Sequence, residues 1–257
     1  MADLLEAEGL TKRYGKRTVL DAVSFTVPAG TVAGLLGPNG AGKSTCLHML
    51  TGVVPPDAGR VSIGGIPLSE PAAKLGFGFA PDDLPLPEAL TGREYLVFHD
   101  RLRGRTDLER GLEIVEAFDI ASAADRQIAE YSHGMKRKIQ LAAALMHTPD
   151  LLILDEPFRG LDPDATAVLS HLVGSMARSG CSVLMATHDL ARAETMCDDV
   201  VILDRGRVAA TGQPRELVQR FGRGESLETA FLVMTGRERD ASRKMKLISA
   251  SFERLTP

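Results

Sequence analysis

The residues with the clearest chemical potential lie in one glycine-rich stretch, Gly37-Pro38-Asn39-Gly40-Ala41-Gly42-Lys43-Ser44. It fits the pattern G-x-x-x-x-G-K-[ST], in which glycines let the backbone wrap closely around phosphate groups. Successive N–H groups and the start of a helix would bind phosphate oxygens, Lys43 would reach the terminal phosphates, and Ser44 would ligate Mg²⁺. We predict that this loop binds a nucleoside triphosphate, with ATP expected; a glycine-rich turn arising by chance is the alternative.

A second candidate is a pair of adjacent acids, Asp155 and Glu156, directly after the apolar run at 151–154. Ligands of open α/β sheets bind at the carboxyl ends of the strands, where such acids would lie. We expect Asp155 to hold magnesium through water and Glu156 to act as general base on the attacking water. A solvated acidic turn is the alternative, and the phosphate loop upstream favours the functional interpretation.

The segments that must position these groups alternate apolar runs with helical patterns. Short β-rich runs before residue 36 predict an N-terminal antiparallel β layer, and the last of them leads into the phosphate loop. Helical periodicity replaces this pattern between about residues 88 and 147, which predicts a helical insertion. Apolar runs at 151–154 and 182–186 flank another helical segment. This alternation predicts an α/β fold with a mostly parallel sheet that is buried on both faces.

Composition and charge narrow the possible partners and location. The chain is 44% hydrophobic and 25% charged, as in ordinary soluble proteins, and its net charge of -4 gives no general attraction to nucleic acid. Acids near the start argue against a secretory signal, and no run approaches the 18 or so apolar residues of a membrane span. We therefore expect a cytoplasmic protein without a nucleic-acid partner, whose cysteines are reduced and mostly buried.

A third motif, Tyr131-Ser132-His133-Gly134-Met135-Lys136, precedes a predicted helix and then the acidic strand. In this order the motifs resemble those of ATP-binding subunits of ABC transporters, whose signature reads Leu-Ser-Gly-Gly-Gln. The version here resembles the Tyr-Ser-x-Gly-Met variant frequent in exporter-type cassettes. The resemblance covers about residues 4–235. It implies a P-loop NTPase core over 1–235, with a helical subdomain inserted at about 88–147 and a tail at 236–257.

The resemblance also implies roles for individual residues. Tyr14 would stack on adenine, His188 would touch the γ-phosphate, and Asp162 would contact an opposing subunit. Lys43, Glu156 and His188 would form the catalytic set. The residues that would hold the phosphates are Gly37, Pro38, Asn39, Gly40, Ala41, Gly42, Lys43, Ser44 and Thr45. Taken singly, Tyr14 could instead be a surface aromatic and His188 a hydrogen-bonded histidine at a strand end.

Ser132 and Gly134 have a chemistry of their own, because a hydroxyl and free N–H groups at a helix start can bind an anion. In the family, the signature of one subunit closes over ATP held on the phosphate loop of another. The resemblance therefore implies a head-to-tail dimer, formed with a second copy or a related chain. The alternative is that Ser132 only caps its helix.

Three places depart from the family pattern. The family carries a magnesium-ligating glutamine near residue 80, where this chain offers Asp82, either as a hard oxygen ligand or as part of a solvated acidic turn. His133 and Met135 replace signature residues, which predicts slower or differently gated hydrolysis. In the tail, Met245, Ile248, Phe252 and Leu255 share a helical face that would dock on a partner or membrane, or cover its own domain.

Three functions are compatible with these motifs. The first is an ATPase subunit that uses ATP and Mg²⁺ to drive a separate membrane permease, in the export direction, from the cytoplasmic face of the membrane. The second is a soluble ABC-type ATPase of DNA repair, translation or cluster assembly, but the long inserts or second cassette of those proteins are missing. The third is a non-hydrolytic ATP-binding module, against which Glu156 and His188 argue.

Overall fold

The computed structural model describes residues 3–82, 85–104, 106–239 and 243. The apolar face expected in the tail, at residues 245–255, lies outside the described residues. The strands are β1 (Asp3–Tyr14), β2 (Arg17–Pro28), β3 (Val32–Leu36), β4 (Ala58–Ile63), β5 (Ile66–Pro67), β6 (Phe77–Ala80), β7 (Leu151–Asp155), β8 (Ser182–Thr187), β9 (Asp199–Asp204) and β10 (Arg207–Gly212). The α-helices are α1 (Lys43–Leu50), α2 (Pro71–Leu75), α3 (Gly92–Leu102), α4 (Glu109–Ala117), α5 (His133–Leu145), α6 (Pro163–Arg178), α7 (Leu190–Met196), α8 (Pro214–Phe221) and α9 (Leu227–Met234).

The larger sheet has the strand order β10-β9-β3-β8-β7-β6. Its neighbours from β6 to β9 pair in parallel, and β10 closes the edge antiparallel to β9. The carboxyl ends of β3, β7 and β8 are therefore side by side. This confirms the predicted mostly parallel sheet and brings the phosphate loop to the same edge as the two acids.

Side-chain alternation along the central strands explains why their sequences are apolar throughout. In β7, Leu152 and Leu154 enter the core under the helices, whereas Leu151 and Ile153 enter the core under the second sheet. Both sets are fully buried. A strand with two apolar neighbours has no face for polar residues, so Asp155 and Glu156 mark the point where it leaves the sheet.

The second sheet, with the order β2-β1-β4-β5, is antiparallel throughout. Its inward residues, such as Leu5 and Leu20, share one core with Leu47 of α1 and the facing side of the larger sheet. This confirms the predicted antiparallel β layer. It also places the β1–β2 hairpin beside the helix that begins at the phosphate loop.

The segment between β6 and β7 contains α3, α4 and α5. A capping box begins α3: the Thr91 hydroxyl accepts from the Glu94 N–H at 3.2 Å, and the Glu94 carboxylate accepts from the Thr91 N–H at 2.8 Å. The strand β6 begins only at Phe77, because Pro71 starts the short helix α2, which runs to Leu75. From Arg137 onward α5 is buried on every side, and it leads into β7.

Tyr131 fixes the turn into α5. Its hydroxyl donates to the carbonyl of Ala123 at 2.7 Å, and its ring is buried. The hydroxyl occupies the space where a Cβ on Gly92 would project. Any side chain at position 92 would therefore press on the residue that precedes Ser132.

We predict that Gly92→Ala lowers the free energy of unfolding by about 1 to 3 kcal/mol, because the added methyl collides with Tyr131. Tyr131→Phe removes the nearest atom, so the same alanine should cost less in that background. Urea unfolding of the native chain, the two single variants and the double variant measures the coupling.

The matched control for this prediction is Gly174→Ala in α6. Its methyl meets only the flexible end of Arg178 and should be neutral or stabilising by up to about 1 kcal/mol. An equal cost of Gly92→Ala in the native chain and in the Tyr131→Phe background would contradict this account.

Candidate functional site

A cleft of about 630 Å³ opens at the carboxyl ends of β3, β7 and β8. It unites the phosphate loop, the acidic strand end and the histidine after β8, which are far apart in the sequence. Its walls are formed by Arg17, Val19, Pro38, Asn39, Gly40, Gly42, Lys43, Ser44, Thr45, Asp82, Asp155, Glu156, Arg159 and His188.

The phosphate loop runs from Gly37 to the start of α1 at Lys43, and two of its glycines have no room for a side chain. A Cβ on Gly37 would lie 2.5 Å from the carbonyl oxygen of Leu203. Gly42 has a φ of +106°, and a Cβ there would lie 2.7 Å from a methyl group of Leu20. The loop is thus pressed against β9 and β2, which explains the glycines that the sequence pattern requires.

Lys43 is buried at the base of the cleft. Its Nζ donates to the carbonyl oxygen of Gly37 at 2.7 Å and lies 3.9 Å from Oε1 of Glu156. Burial lowers the pKa of Lys43, and the charges of Glu156 and Asp155 partly oppose this effect. The arrangement keeps a positive charge next to the carboxylates in a site with little solvent.

Glu156 is the best-held carboxylate in the cleft. Its Oε1 lies 2.8 Å from Nδ1 of His188, and its Oε2 accepts from the Thr187 hydroxyl at 3.0 Å. The backbone of Glu156 has a φ of +44°, a left-handed conformation that is rare for residues other than glycine. Backbone strain of this kind occurs at functional sites when the surrounding contacts enforce it.

Asp155 lies at the end of β7 and is almost fully buried. Burial raises the pKa of Asp155, with further contributions from Asp82 and Glu156, while a hydrogen bond from Ser44 and the charge of Lys43 act in the opposite direction. The carboxylate therefore favours a bound proton or cation. Oxygen ligands of this kind suit Mg²⁺.

Asp82 also lies in the cleft, and its carboxylate has a partner. Oδ2 of Asp82 is 2.6 Å from Nη1 of Arg159, whose side chain is mostly exposed. Asp82 thus lines the cleft, and its carboxylate is paired with a cation there.

Several expected site residues lie elsewhere. Gly37 and Ala41 support the loop from behind and do not line the cleft. Tyr14 is 52% exposed beside Lys12, whose Nζ is 5.7 Å from the ring centroid. Ser132 caps α5 by accepting from the Met135 N–H at 3.3 Å.

Gly134 and Asp162 are also outside the cleft walls: Gly134 lies within α5, the helix that Ser132 caps, and Asp162 lies next to that helix. Gly134 packs near the carbonyl of Gly160. Asp162 caps α6 and pairs with Lys138 of α5 at 2.6 Å, which lowers the pKa of Asp162 through that hydrogen bond and the one from Ala165 N–H. The structure therefore brings the catalytic candidates together but separates them from the signature residues.

Sequence reasoning missed Arg17, Val19 and Arg159 among the cleft residues. Arg17 and Val19 lie at the start of β2 and reach the cleft through the β1–β2 hairpin. Nothing in their local sequence indicates a contact with the phosphate loop. Arg159 lies three residues after Glu156, and this closeness in the sequence could have indicated that it reaches the cleft. Thr187, which directly precedes His188, was also missed, and its hydroxyl holds Glu156.

Comparisons with known proteins agree with this arrangement. The sequence profile of the ABC transporter family matches residues 20–159. The linearmycin resistance ATP-binding protein LnrL of Bacillus subtilis is 38% identical over 224 residues, which cover 85% of this chain and 72% of that protein. The chain belongs to the ABC transporter family. It is an ATP-binding subunit of this family, and the family's cassettes are ATPases coupled to transport.

Two further matches extend the comparison. The Nod factor export ATP-binding protein I of Ralstonia nicotianae is 39% identical over 220 residues, covering 84% of this chain and 68% of that protein. A solved structure of an ATP-binding subunit of an ABC transporter superposes with a TM-score of 0.85 at 35% identity, covering 90% of this chain and 99% of that one. The expected ABC-type P-loop NTPase fold is therefore confirmed. Over the part of the chain that is described, no helix has the length and apolar character needed to cross a membrane.

Asp155→Asn should stabilise the nucleotide-free ABC subunit at neutral pH, because it removes a buried charge beside two other acids. We expect a gain on the order of 1 kcal/mol, or about 2 to 4 °C in melting temperature. Since the folded-state pKa is raised, the native aspartate recovers stability as the pH falls through that pKa, and the gain should vanish below the unfolded value of about 3.9.

Thermal unfolding between about pH 3.5 and 8, on either side of the unfolded-state pKa, measures this difference in the absence of nucleotide and magnesium. The exposed Asp164→Asn serves as the control and should change stability by less than about 0.5 kcal/mol. A loss of stability in Asp155→Asn at the upper end of this pH range would show that the carboxylate is a net structural asset.

Proposed function

We propose that two copies of this chain, or this chain and a related one, bind two ATP molecules with Mg²⁺ between them and drive export through a membrane permease. One observation carries the proposal. The groups suited to phosphate binding and hydrolysis share one cleft, whereas Ser132 and Gly134 lie at the accessible start of α5, outside it. A complete site then needs the signature surface of a second subunit.

In the proposed mechanism, the loop at 37–45 binds the phosphates through its N–H groups and Lys43. Ser44 and Asp155 hold the magnesium ion, with Asp82 as a third oxygen donor. Mg²⁺ supplies charge neutralisation on the phosphate oxygens when it is bound. Oxygen donors from a hydroxyl and two carboxylates fit this ion, which prefers hard ligands and commonly shares them with nucleotide phosphates.

Glu156 takes the proton from the attacking water in this proposal. Its two oxygens are oriented by Thr187 and His188, so the carboxylate is fixed before the reaction. The exposed side of His188 is directed to a γ-phosphate on the loop. Tyr14, the last residue of β1, lies next to the turn of the β1–β2 hairpin and stacks on the adenine ring.

The dimer arrangement follows from the surface around α5. The N-terminal end of α5 is positive because of the helix dipole, and Ser132 and Gly134 are accessible there. Asp162, close to the same surface, contacts the opposing subunit. ATP on one subunit thereby bridges to the signature of the other.

The permease and the direction of transport rest on two supports. One relative is named for Nod factor export and another for linearmycin resistance, and both are named as ATP-binding proteins. In this chain α3 exposes Phe98 and Leu102, an apolar strip on the helical segment at about 88–147. We propose that this segment is a subdomain inserted in the 1–235 cassette and contacts the permease at the cytoplasmic face of the membrane, with 236–257 as a separate tail.

Glu156→Gln should lower ATP turnover roughly 100-fold or more, because the amide cannot accept the proton. Binding of ATP should persist, so ATP should now hold a stable dimer that the native chain forms only transiently. Phosphate release and size-exclusion chromatography with MgATP measure the two effects. The exposed Glu116→Gln on α4 is the matched control and should behave as the native chain does. Unchanged turnover in Glu156→Gln would mean that the general base is another group.

Asp82→Ala should raise the magnesium concentration needed for half-maximal turnover by about tenfold, because it removes one oxygen donor. The matched control is Asp125→Ala, since Asp125 pairs with Arg93 at 2.7 Å much as Asp82 pairs with Arg159, but outside the cleft. Magnesium titrations of ATP turnover compare the two variants. An equal magnesium concentration for half-maximal turnover in Asp82→Ala and the native protein would show that Asp82 does not bind magnesium and only pairs with Arg159.

A further inference from the structure

Arg137 is a buried cation in an unusual position on α5. Its residue surface is 5% exposed, and burial lowers the pKa of Arg137. Isolating a charge in this way is costly unless hydrogen bonds compensate it. Among the described residues, no carboxylate forms a salt bridge with Arg137, so neutral oxygen atoms must provide that compensation.

Four such oxygens surround the guanidinium, in two pairs. Nη1 donates to the carbonyl of Pro81 at 2.5 Å and to Oε1 of Gln140 at 2.8 Å. Nη2 donates to the carbonyls of Asp155 at 2.7 Å and Glu156 at 3.1 Å. The planar fork of arginine can satisfy two pairs at once, which a lysine ammonium cannot do in the same geometry.

Three of these four oxygens belong to the backbone that carries the cleft carboxylates. Pro81 directly precedes Asp82, and the other two carbonyls are those of Asp155 and Glu156 themselves. Arg137 thus joins the ends of β6 and β7, and it does not line the cleft. Its contacts fix the backbone, and none of them uses a carboxylate oxygen that the reaction needs.

The contact at Glu156 has a further consequence because this residue is strained. A φ of +44° is a strained backbone conformation that persists only when the surroundings enforce it. Three hydrogen bonds hold this backbone: the N–H donates to the carbonyl of Ala186 at 2.8 Å, and the carbonyl accepts from the Arg159 N–H and from Nη2 of Arg137, both at 3.1 Å. Without the guanidinium, the carbonyl of Glu156 keeps only the hydrogen bond from Arg159, which lies three residues away in the same turn and does not connect Glu156 to α5.

We propose that Arg137 is a positioning residue that holds Glu156 and the Asp82 loop in their reactive geometry. It also attaches them to α5, so that a shift of the signature end of α5 changes the site in the same chain. This inference rests on the proposed function of Glu156 as general base. It goes beyond that function because it names the residue through which the nearby helix controls that base.

The full-length chain tests the proposal through Arg137→Lys, which keeps the charge but loses the fork. We expect kcat for ATP to fall roughly 10- to 100-fold, since small displacements of a reacting group have effects of this size, while KM changes by less than about threefold. The matched control is Arg103→Lys. Arg103 also donates to two carbonyls, of Leu75 and Phe77, but near the opposite end of β6.

Arg103→Lys should keep kcat within about twofold of the native value while having a similar effect on melting temperature. A normal kcat in Arg137→Lys, or an equal loss in both variants, would overturn the proposal. If Arg137→Lys does not fold, Gln140→Met replaces it: this change removes one acceptor of Nη1, and an unchanged kcat would likewise overturn the proposal.

Hydrogen exchange separates this inference from the proposed function, because it does not require hydrolysis. Arg137→Lys should speed amide exchange in the peptide at 153–160, which includes Glu156, and Arg103→Lys should leave that peptide unchanged. Native turnover that is insensitive to Glu156→Gln would refute the general base but leave the exchange result interpretable. Unaltered exchange in Arg137→Lys would refute the positioning role alone.

Discussion

The charge arrangement around Lys43 is the interaction on which the rest of the site depends. One ammonium group lies between the carbonyl of Gly37 and Glu156, with Asp155 close enough to affect its protonation. Lys43 and the backbone thus help to keep the like charges of Asp155 and Glu156 together in one cleft. A nucleotide with a divalent cation adds both negative and positive charge to this arrangement. The cleft has N–H groups and Lys43 to bind the phosphates, and carboxylate and hydroxyl oxygens to bind the cation.

The fold meets this requirement by carrying the charged groups on the ends of buried strands. The strands β3, β7 and β8 are neighbours, so Gly37, Asp155 and His188 emerge at one edge. Two separate cores, one on each face of the sheet, fix the strands and leave their ends as the place where polar groups reach solvent. The left-handed backbone at Glu156 is tolerated because hydrogen bonds on both sides of the peptide hold it.

The helix α5 has two tasks in this arrangement. Its start presents Ser132 and Gly134 on the surface, whereas Arg137 in its second turn donates hydrogen bonds to the backbone of Asp155 and Glu156. Tyr131 fixes the approach to this helix through Ala123 and through the space left by Gly92. A single rigid element therefore connects the surface suited to a neighbouring nucleotide with the backbone of the chain's own acids.

The phosphate loop, the acidic strand end, the α/β class and the family could all be predicted from the amino-acid sequence. These features are encoded locally, because glycine spacing, apolar runs and helix periods reflect backbone geometry over a few residues. The three-dimensional fold was needed to show that Arg17, Val19 and Arg159 line the cleft and that Tyr14 lies outside its walls. It was also needed to show which of three consecutive basic residues in α5 binds the backbone of Asp155 and Glu156. Nothing local distinguishes Arg137 from Lys136 and Lys138, since its partners lie 18 or more residues away except for Gln140.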